Sequence, residues 1–182
     1  MPALAALAAL ALAFGPAHAG TLAGVTHPDR VEVGGQTLTL NGMGLREMLF
    51  IDIYVGSLYL PARTSDATKA LQSDVPKRIV MHFLYKEVTA EQMRETFAEG
   101  LAKLPNRQAL RARFDTLSGM MATVRSGDVI TLDYVPGVGV SVDFNGKSRG
   151  TIEGADFMRA IWAIFIGPDP ASTKLKKGML GG

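Results

Sequence analysis

The sequence predicts an α+β fold in which helices lie on one face of a large antiparallel sheet. Strand-like runs are separated by paired helices, and there is no regular strand–helix–strand alternation of the kind that favours a parallel sheet. Two local signals fix element boundaries. Asn145-Gly146 is a hairpin turn signal, and Thr89 with Gln92 three residues later is a capping box at a helix start. We expect residues 20–182 to form one domain, because no internal repeat or linker divides them.

The first predicted elements are strands. Residues 30–33 and 36–40 alternate polar and apolar side chains on either side of a Gly-Gly pair, which predicts a hairpin. The glycine-rich segment 41–44 indicates a break. Residues 48–60 are rich in β-branched and aromatic types, which predicts two successive strands or one long strand bent at Gly56.

Helices and strands alternate in the rest of the chain. Met93, Phe97 and Leu101 form an apolar stripe on the helix that Thr89 begins and Pro105 stops. The further predicted helices cover residues 65–73, 107–121, 155–166 and 171–180, and the further strands cover residues 77–85, 128–134, 139–144 and 147–152.

Residues 1–19 have the features of a cleavable signal peptide. An apolar run extends from Ala3 to Phe14, and Ala17-His18-Ala19 is the small-x-small pattern that a signal peptidase requires. The run is shorter than the roughly 20 apolar residues of a membrane-spanning helix. We therefore expect cleavage after Ala19 and a periplasmic or secreted location. Because no Lys or Arg precedes the run, a buried N-terminal helix is the alternative.

Composition excludes several function classes. The chain has no Cys, which excludes disulfides, thiolate zinc sites and cysteine nucleophiles. Its 19 basic and 17 acidic residues give a formal net charge of +2, with small basic clusters only at 107–113 and 174–177. This distribution indicates no nucleic-acid surface. Nucleotide-loop, serine-elbow and zinc-protease motifs are absent, so no cofactor or metal is expected. His27 and His82 form no local metal motif, and we interpret His82 as a structural histidine within a strand.

Arg46 and Tyr54 stand out as candidate ligand-binding residues. Arg46 enters a strongly hydrophobic region, and Tyr54 follows it by eight positions, an even spacing that places both side chains on one face of an unbroken strand. A buried guanidinium needs an anion, and a phenol can donate a second hydrogen bond to the same anion. The alternatives are a structural ion pair of Arg46 with Glu47 or Asp52, or a position at the solvent-exposed end of the strand.

Several segments in order resemble the chalcone isomerase-like family in its bacterial branch. The resemblance begins with Gly-Met-Gly-Leu-Arg46 and the strand 54–60, and continues with Val-Thr-Ala-Glu-Gln at 88–92. It ends with residues 170–180, which follow the segment Phe157-Met-Arg-Ala-Ile-Trp-Ala-Ile-Phe-Ile-Gly167. The resemblance therefore covers essentially all of residues 20–182. It implies an open-faced β-sandwich, a large antiparallel sheet with helices layered on one face, and a ligand cleft between sheet and helices.

The resemblance also implies roles for individual residues. The family's ligand-binding Arg falls on Arg46, and a polar position of the enzymes falls on Tyr54. The tyrosine that the enzymes carry on the middle helix falls on Met93, and a nearby Asn falls at about Gly100. A thioether cannot polarise a carbonyl, which argues against true chalcone isomerase activity. Fatty-acid-binding members pair the Arg with a Tyr to hold a carboxylate.

These observations predict an exported protein that binds a small apolar anionic ligand, fatty-acid-like or an aromatic acid. Arg46 would clamp the anion, Tyr54 would donate to it, and Met93 would line the cleft. No stable membrane anchor is expected after cleavage. Two alternatives stay open. One is an intramolecular lyase of chalcone isomerase type on an unknown substrate. The other is a non-catalytic envelope protein that docks a partner through its basic clusters.

Overall fold

The computed structural model describes residues 20–182, and the predicted signal peptide lies outside them. The described chain is mixed α+β and centres on a curled, seven-stranded antiparallel sheet. The strands in chain order are β1 (Gly20–Leu22), β2 (Val25–His27), β3 (Arg30–Val33), β4 (Gln36–Met48), β5 (Ile51–Leu60), β6 (Lys77–Phe83), β7 (Glu87–Val88), β8 (Val124–Arg125), β9 (Val129–Val135), β10 (Gly139–Phe144) and β11 (Lys147–Ile152). The helices are α1 (Ala67–Gln72), α2 (Ala90–Ala102), α3 (Arg107–Met120), α4 (Ala155–Ile166) and α5 (Thr173–Met179).

The main sheet has the strand order β11-β10-β9-β6-β5-β4-β3, and β1-β2 and β7-β8 form two short ribbons. Side chains alternate between the two sheet faces, so each face has its own apolar cluster. The larger cluster joins the helices to one face and includes Leu58, Ile79 and Leu132 from the sheet. A smaller cluster around Leu38 and Tyr59 lies on the other face. Within residues 20–182, no helix is both long and apolar enough to span a bilayer.

The fold confirms the local boundary signals. Thr89 and Gln92 exchange the two hydrogen bonds of a capping box at the start of α2. Asp66 caps α1, and β3 pairs with the start of β4 as a hairpin. Asn145-Gly146 forms the turn between β10 and β11, with both residues at positive φ.

Two predictions in the region of residues 41–60 are wrong. Residues 41–44 do not break the chain, because β4 continues through them to Met48 with a bulge between Leu40 and Gly42. The turn falls instead at Leu49-Phe50, and β5 runs straight through Gly56. The predicted 48–60 strand therefore contains the end of one strand, a turn and the whole of the next.

Glycines in this region allow α5 to pack directly on the backbone of β4. A Cβ atom added to Gly42 would overlap the carbonyl oxygen of Gly178, and one added to Gly44 would overlap that of Leu175. Gly178 in turn faces the carbonyl oxygen of Met43. The glycines thus mark a close approach between a strand and a helix, which is the reason that the sequence pattern was misinterpreted as a break.

We expect Gly44→Ala to lower the free energy of unfolding by about 1–3 kcal/mol, because the added methyl group forces α5 away from β4. Gly119→Ala is the matched control. Gly119 lies in α3 with open space around its Cα, so alanine should raise the stability slightly. Urea unfolding followed by circular dichroism measures both, and equal stability of the two variants would contradict the packing argument.

His27 and His82 meet on the sheet face opposite the helices. Their ring centroids are 6.0 Å apart, and His27 Nδ1 lies 2.7 Å from the Ser57 hydroxyl oxygen. Burial and, to a lesser degree, the neighbouring His82 lower the pKa of His27 from 6.5 to about 4. The contact between His27 and Ser57 therefore links β2 to β5, with His27 in its neutral form.

We expect the protein to lose stability as the pH falls from 7 to 5. In that window the unfolded chain protonates His27 while the folded chain does not, so this residue contributes a loss of up to about 1.4 kcal/mol per pH unit. His27→Asn keeps a polar group without a titrating ring and should flatten the slope. Urea midpoints at pH 7, 6 and 5 provide the test, and an unchanged slope in the variant would refute the assignment.

Candidate functional site

A cavity of about 390 Å³ lies between the sheet and the helices, near the end of the sheet where β4 turns into β5. Its walls are mostly apolar and come from three elements of the sheet–helix cluster. The principal wall residues are Ile53, Met81 and Phe83 on the sheet, Met93 and Phe97 on α2, and Phe165 on α4. Both the volume and the apolar lining are typical of a small-molecule site, for which roughly 300–1,000 Å³ is usual.

Arg46 and Tyr54 both line this cavity, and they are directly paired across the β4–β5 hairpin. The sequence spacing placed them on one face of a single strand. They do share a face, but the reason is different, since they are cross-strand neighbours on two antiparallel strands. Cross-strand partners have Cβ atoms about 4.5–5.5 Å apart, so their polar ends can reach one ligand group.

Arg46 has no carboxylate partner among residues 20–182. Its Nη1 donates a hydrogen bond of 2.6 Å to the carbonyl oxygen of Ala171. The predicted alternative of an ion pair with Glu47 is wrong, because Glu47 pairs with Lys174 at 2.6 Å. An ion pair with Asp52 is also absent from the described part of the chain. Within residues 20–182, the Arg46 guanidinium is therefore oriented by a neutral acceptor and forms no salt bridge.

Tyr54 is buried against Phe83, with ring centroids 5.4 Å apart. Burial raises the pKa of Tyr54 well above its ordinary value, and the nearby positive charge of Arg46 offsets only part of this effect. The phenol is therefore a neutral hydrogen-bond donor near pH 7. A cation and a neutral donor side by side bind an anion well, since charge-assisted hydrogen bonds are the stronger ones.

Met93 lies where the sequence placed it, buried on the α2 wall of the cavity beside Phe97. Leu101, the third residue of the predicted stripe, packs against the core and does not line the cavity. Tyr85 and Ala171 also contribute to the lining, and the sequence analysis did not single them out. Tyr85 follows the end of β6, and Ala171 contacts Arg46 through its backbone carbonyl, which no residue pattern reveals.

The electrostatics of the cavity are asymmetric. Among residues 20–182, Arg46 is the only basic residue that lines it, whereas Glu87, Glu95 and Glu99 form an exposed acidic edge along β7 and α2. Arg46 also borders a smaller polar cavity of about 80 Å³ that reaches Lys103 and Asp169. No cluster of three or more potential metal ligands occurs in residues 20–182. An anionic head group therefore has one position of favourable charge in the cavity, beside Arg46.

Fold and site together define an α+β protein with a curled antiparallel sheet and a ligand-sized cavity beneath its helices. The chain belongs to the chalcone isomerase-like family, which it matches over residues 19–181. It is similar in fold to the crystal structure of a fatty-acid binding protein of Arabidopsis thaliana, with a TM-score of 0.73 and 16% sequence identity over 90% of this chain and 96% of that one. Comparison with curated proteins finds no match. Membership in the family and the fold that the sequence predicted are thus confirmed.

We expect Arg46→Met to change the free energy of unfolding by less than about 1 kcal/mol, because it removes one hydrogen bond together with an unpaired, half-buried charge. Arg78→Met is the matched control. Arg78 donates two hydrogen bonds of 2.5 and 2.6 Å to Asp133, and its loss should cost about 1–3 kcal/mol. Thermal and urea unfolding compare the two. An equal or greater loss for Arg46→Met would show that this arginine is structural.

Proposed function

We propose that the protein binds a small, mostly apolar carboxylic acid, fatty-acid-like or aromatic, with the carboxylate at Arg46 and the apolar part in the cavity. The observation that carries this proposal is a half-buried arginine, without a carboxylate partner in residues 20–182, at the wall of an apolar cavity. A charge without a salt-bridge partner at an apolar wall is costly, and a bound anion lowers that cost.

Each residue has a distinct part in this proposal. The Ala171 carbonyl holds one nitrogen of Arg46, which fixes the plane of the guanidinium and leaves other N–H groups for the ligand. Tyr54 donates its hydroxyl hydrogen to a carboxylate oxygen. Met93 and Phe97 contact the apolar part of the ligand. The flexible thioether of Met93 suits ligands of varied shape.

The proposal is binding without turnover. Met93 occupies the position where the resemblance implies an enzymatic tyrosine, and its thioether donates no hydrogen bond to a reacting carbonyl. The guanidinium of Arg46 offers only hydrogen-bond donors, and burial raises the pKa of Tyr54 so that its phenol stays protonated near neutral pH. Neither side chain therefore removes a proton from a ligand. Family membership and the fatty-acid-binding structure of similar fold support the choice of an acid as ligand.

We further propose that the protein acts outside the cytoplasm, in the periplasm or as a secreted protein. The support is the apolar run of residues 3–14 followed by Ala17-His18-Ala19. The absence of cysteine fits an oxidising compartment. Fractionation of cells that produce the full chain, with N-terminal sequencing of the mature protein, tests the location separately from ligand binding.

We expect delipidated protein to bind dodecanoate at least about tenfold more tightly than 1-dodecanol, which has the same chain without the charge. Arg46→Met should weaken dodecanoate binding at least about thirtyfold and abolish the preference for the acid. Tyr54→Phe should weaken it about tenfold through the loss of one hydrogen bond to a charged group. Isothermal titration calorimetry measures all three.

Arg63→Met serves as the control, because Arg63 is an exposed arginine that pairs with Asp29 away from the cavity. It should bind dodecanoate as the wild type does. The proposal fails if the acid and the alcohol bind equally, or if Arg46→Met retains wild-type affinity for the acid. Native mass spectrometry of protein purified without delipidation then identifies which acid the cavity holds.

A further inference from the structure

The tip of the β4–β5 hairpin, residues Met48, Leu49, Phe50 and Ile51, exposes four consecutive large apolar side chains. Leu49 is 89% exposed, Phe50 is fully exposed, and Met48 and Ile51 are about half exposed. Among residues 20–182, Val138 is the only other large hydrophobic residue that is similarly exposed. Single exposed apolar residues are ordinary on a protein surface, but a contiguous group marks a site of interaction.

The backbone of the hairpin tip makes this apolar character unusual. Leu49 and Phe50 have φ values of 49° and 67°, as in the two-residue turn that favours Asn-Gly. The β10–β11 hairpin has φ values of 51° and 76° in its turn and places Asn145-Gly146 there. Two bulky residues are therefore held in a backbone conformation that disfavours them, and their side chains gain no burial in return. Folding does not explain the choice, which points to function.

The hairpin tip is continuous with the cavity. Met48, Leu49 and Ile51 line the cavity at its outer edge, whereas Phe50 is not among the lining residues. A ligand that leaves along this edge passes from an apolar cavity onto an apolar surface. The same hairpin carries the Arg46–Tyr54 pair, which follows the Met48–Ile51 and Glu47–Asp52 pairs along the ladder.

The size and charge of the tip identify what it contacts. A stable dimer buries about 800 Å² on each partner. Four side chains, of which even an aromatic one buries roughly 200 Å², cannot supply that area when two of them are half covered. The flanking charges do not form a basic ring either, because Glu47 is paired with Lys174 and Asp52 is acidic. A narrow apolar tip without a basic surround fits the hydrocarbon boundary of an uncharged lipid surface.

We infer that the hairpin tip inserts reversibly into a lipid bilayer surface through apolar contact, with the mouth of the cavity facing the membrane. The membrane contact stands on the tip alone. Its role in loading the cavity with acids from the bilayer rests on the proposed function. Burial of the apolar tip drives the contact, so it requires no anionic lipid and resists salt.

Vesicle flotation with pure phosphatidylcholine vesicles tests the inference. The wild-type protein should float with the vesicles in low and high salt alike. Phe50→Gly should lower the bound fraction about tenfold or more, because it removes the most exposed apolar side chain. Glycine suits the positive φ of this position, so the variant should fold at least as stably as the wild type. Phe50 does not line the cavity, and dodecanoate affinity in the absence of vesicles should not change.

Val138→Ser is the matched control. Val138 is 57% exposed in the β9–β10 turn, at the opposite end of the sheet from Phe50 according to the strand register. Its loss should leave flotation unchanged. Arg46→Met leaves the apolar tip intact, so it should still float with the vesicles while losing dodecanoate binding. A failure of the ligand proposal is thereby separated from a failure of the membrane proposal.

A second measurement uses the absence of cysteine from the chain. Phe50→Cys and Val138→Cys each provide a single thiol for an environment-sensitive fluorophore. The label at position 50 should shift to the blue on addition of phosphatidylcholine vesicles, and the label at position 138 should not. The inference is overturned if the wild type does not float, or if it binds only anionic vesicles at low salt. It is also overturned if Phe50→Gly floats equally well, or if the tip instead forms a dimer in sedimentation experiments that Phe50→Gly abolishes.

Discussion

The direct backbone contact between α5 and β4 is the constraint on which the rest of the site depends. Gly42, Gly44 and Gly178 remove the side chains that would separate the two elements. This approach brings the segment before α5 close to the strand, so that the Ala171 carbonyl reaches Arg46 and Lys174 reaches Glu47. The contact therefore orients the Arg46 guanidinium and also pairs Glu47, its acidic neighbour in sequence, with Lys174. A larger residue at either strand glycine would disturb the proposed ligand site as well as the fold.

Elements with local signals could be predicted from the sequence, and elements that depend on distant residues could not. The capping box at Thr89 and the turn at Asn145-Gly146 involve neighbouring residues only, so their pattern is visible in the chain. The role of Gly44 depends on Leu175, more than a hundred residues away, and nothing near Gly44 reveals it. The Leu49-Phe50 turn was missed because its residues are those that such a turn disfavours.

At the candidate site, too, features that depend on neighbouring residues could be predicted and those that depend on distant residues could not. Arg46 and Tyr54 could be found because a charge and a phenol are conspicuous in an apolar stretch. The even spacing predicted a shared face on one strand, and the two residues share a face by chance, because they are cross-strand partners in the hairpin. Whether Arg46 had an ionic partner could not be decided from sequence, since Glu47 and Asp52 are both adjacent. In the structure, Lys174 from the C-terminal part of the chain forms an ion pair with Glu47, so Glu47 is not the partner of Arg46. Structural ion pairs are common enough that spacing alone cannot assign a role to a charged residue.

The geometry of the hairpin links ligand binding to the proposed membrane contact. Arg46 precedes Leu49 by three residues, and a strand rises about 3.4 Å per residue, so the Arg46–Tyr54 pair lies roughly 10 Å from the tip along the strand. The apolar face of an interfacial helix is buried about 5–10 Å into the boundary between head groups and acyl chains, and a similar depth is taken here for the hairpin tip. Insertion to that depth keeps the guanidinium at the level of the head groups, where the carboxylate of a membrane-dissolved acid also lies. Under the two proposals together, the antiparallel ladder holds the Arg46–Tyr54 pair at the height at which such a ligand presents its charge, and the apolar tail can follow into the cavity without crossing water.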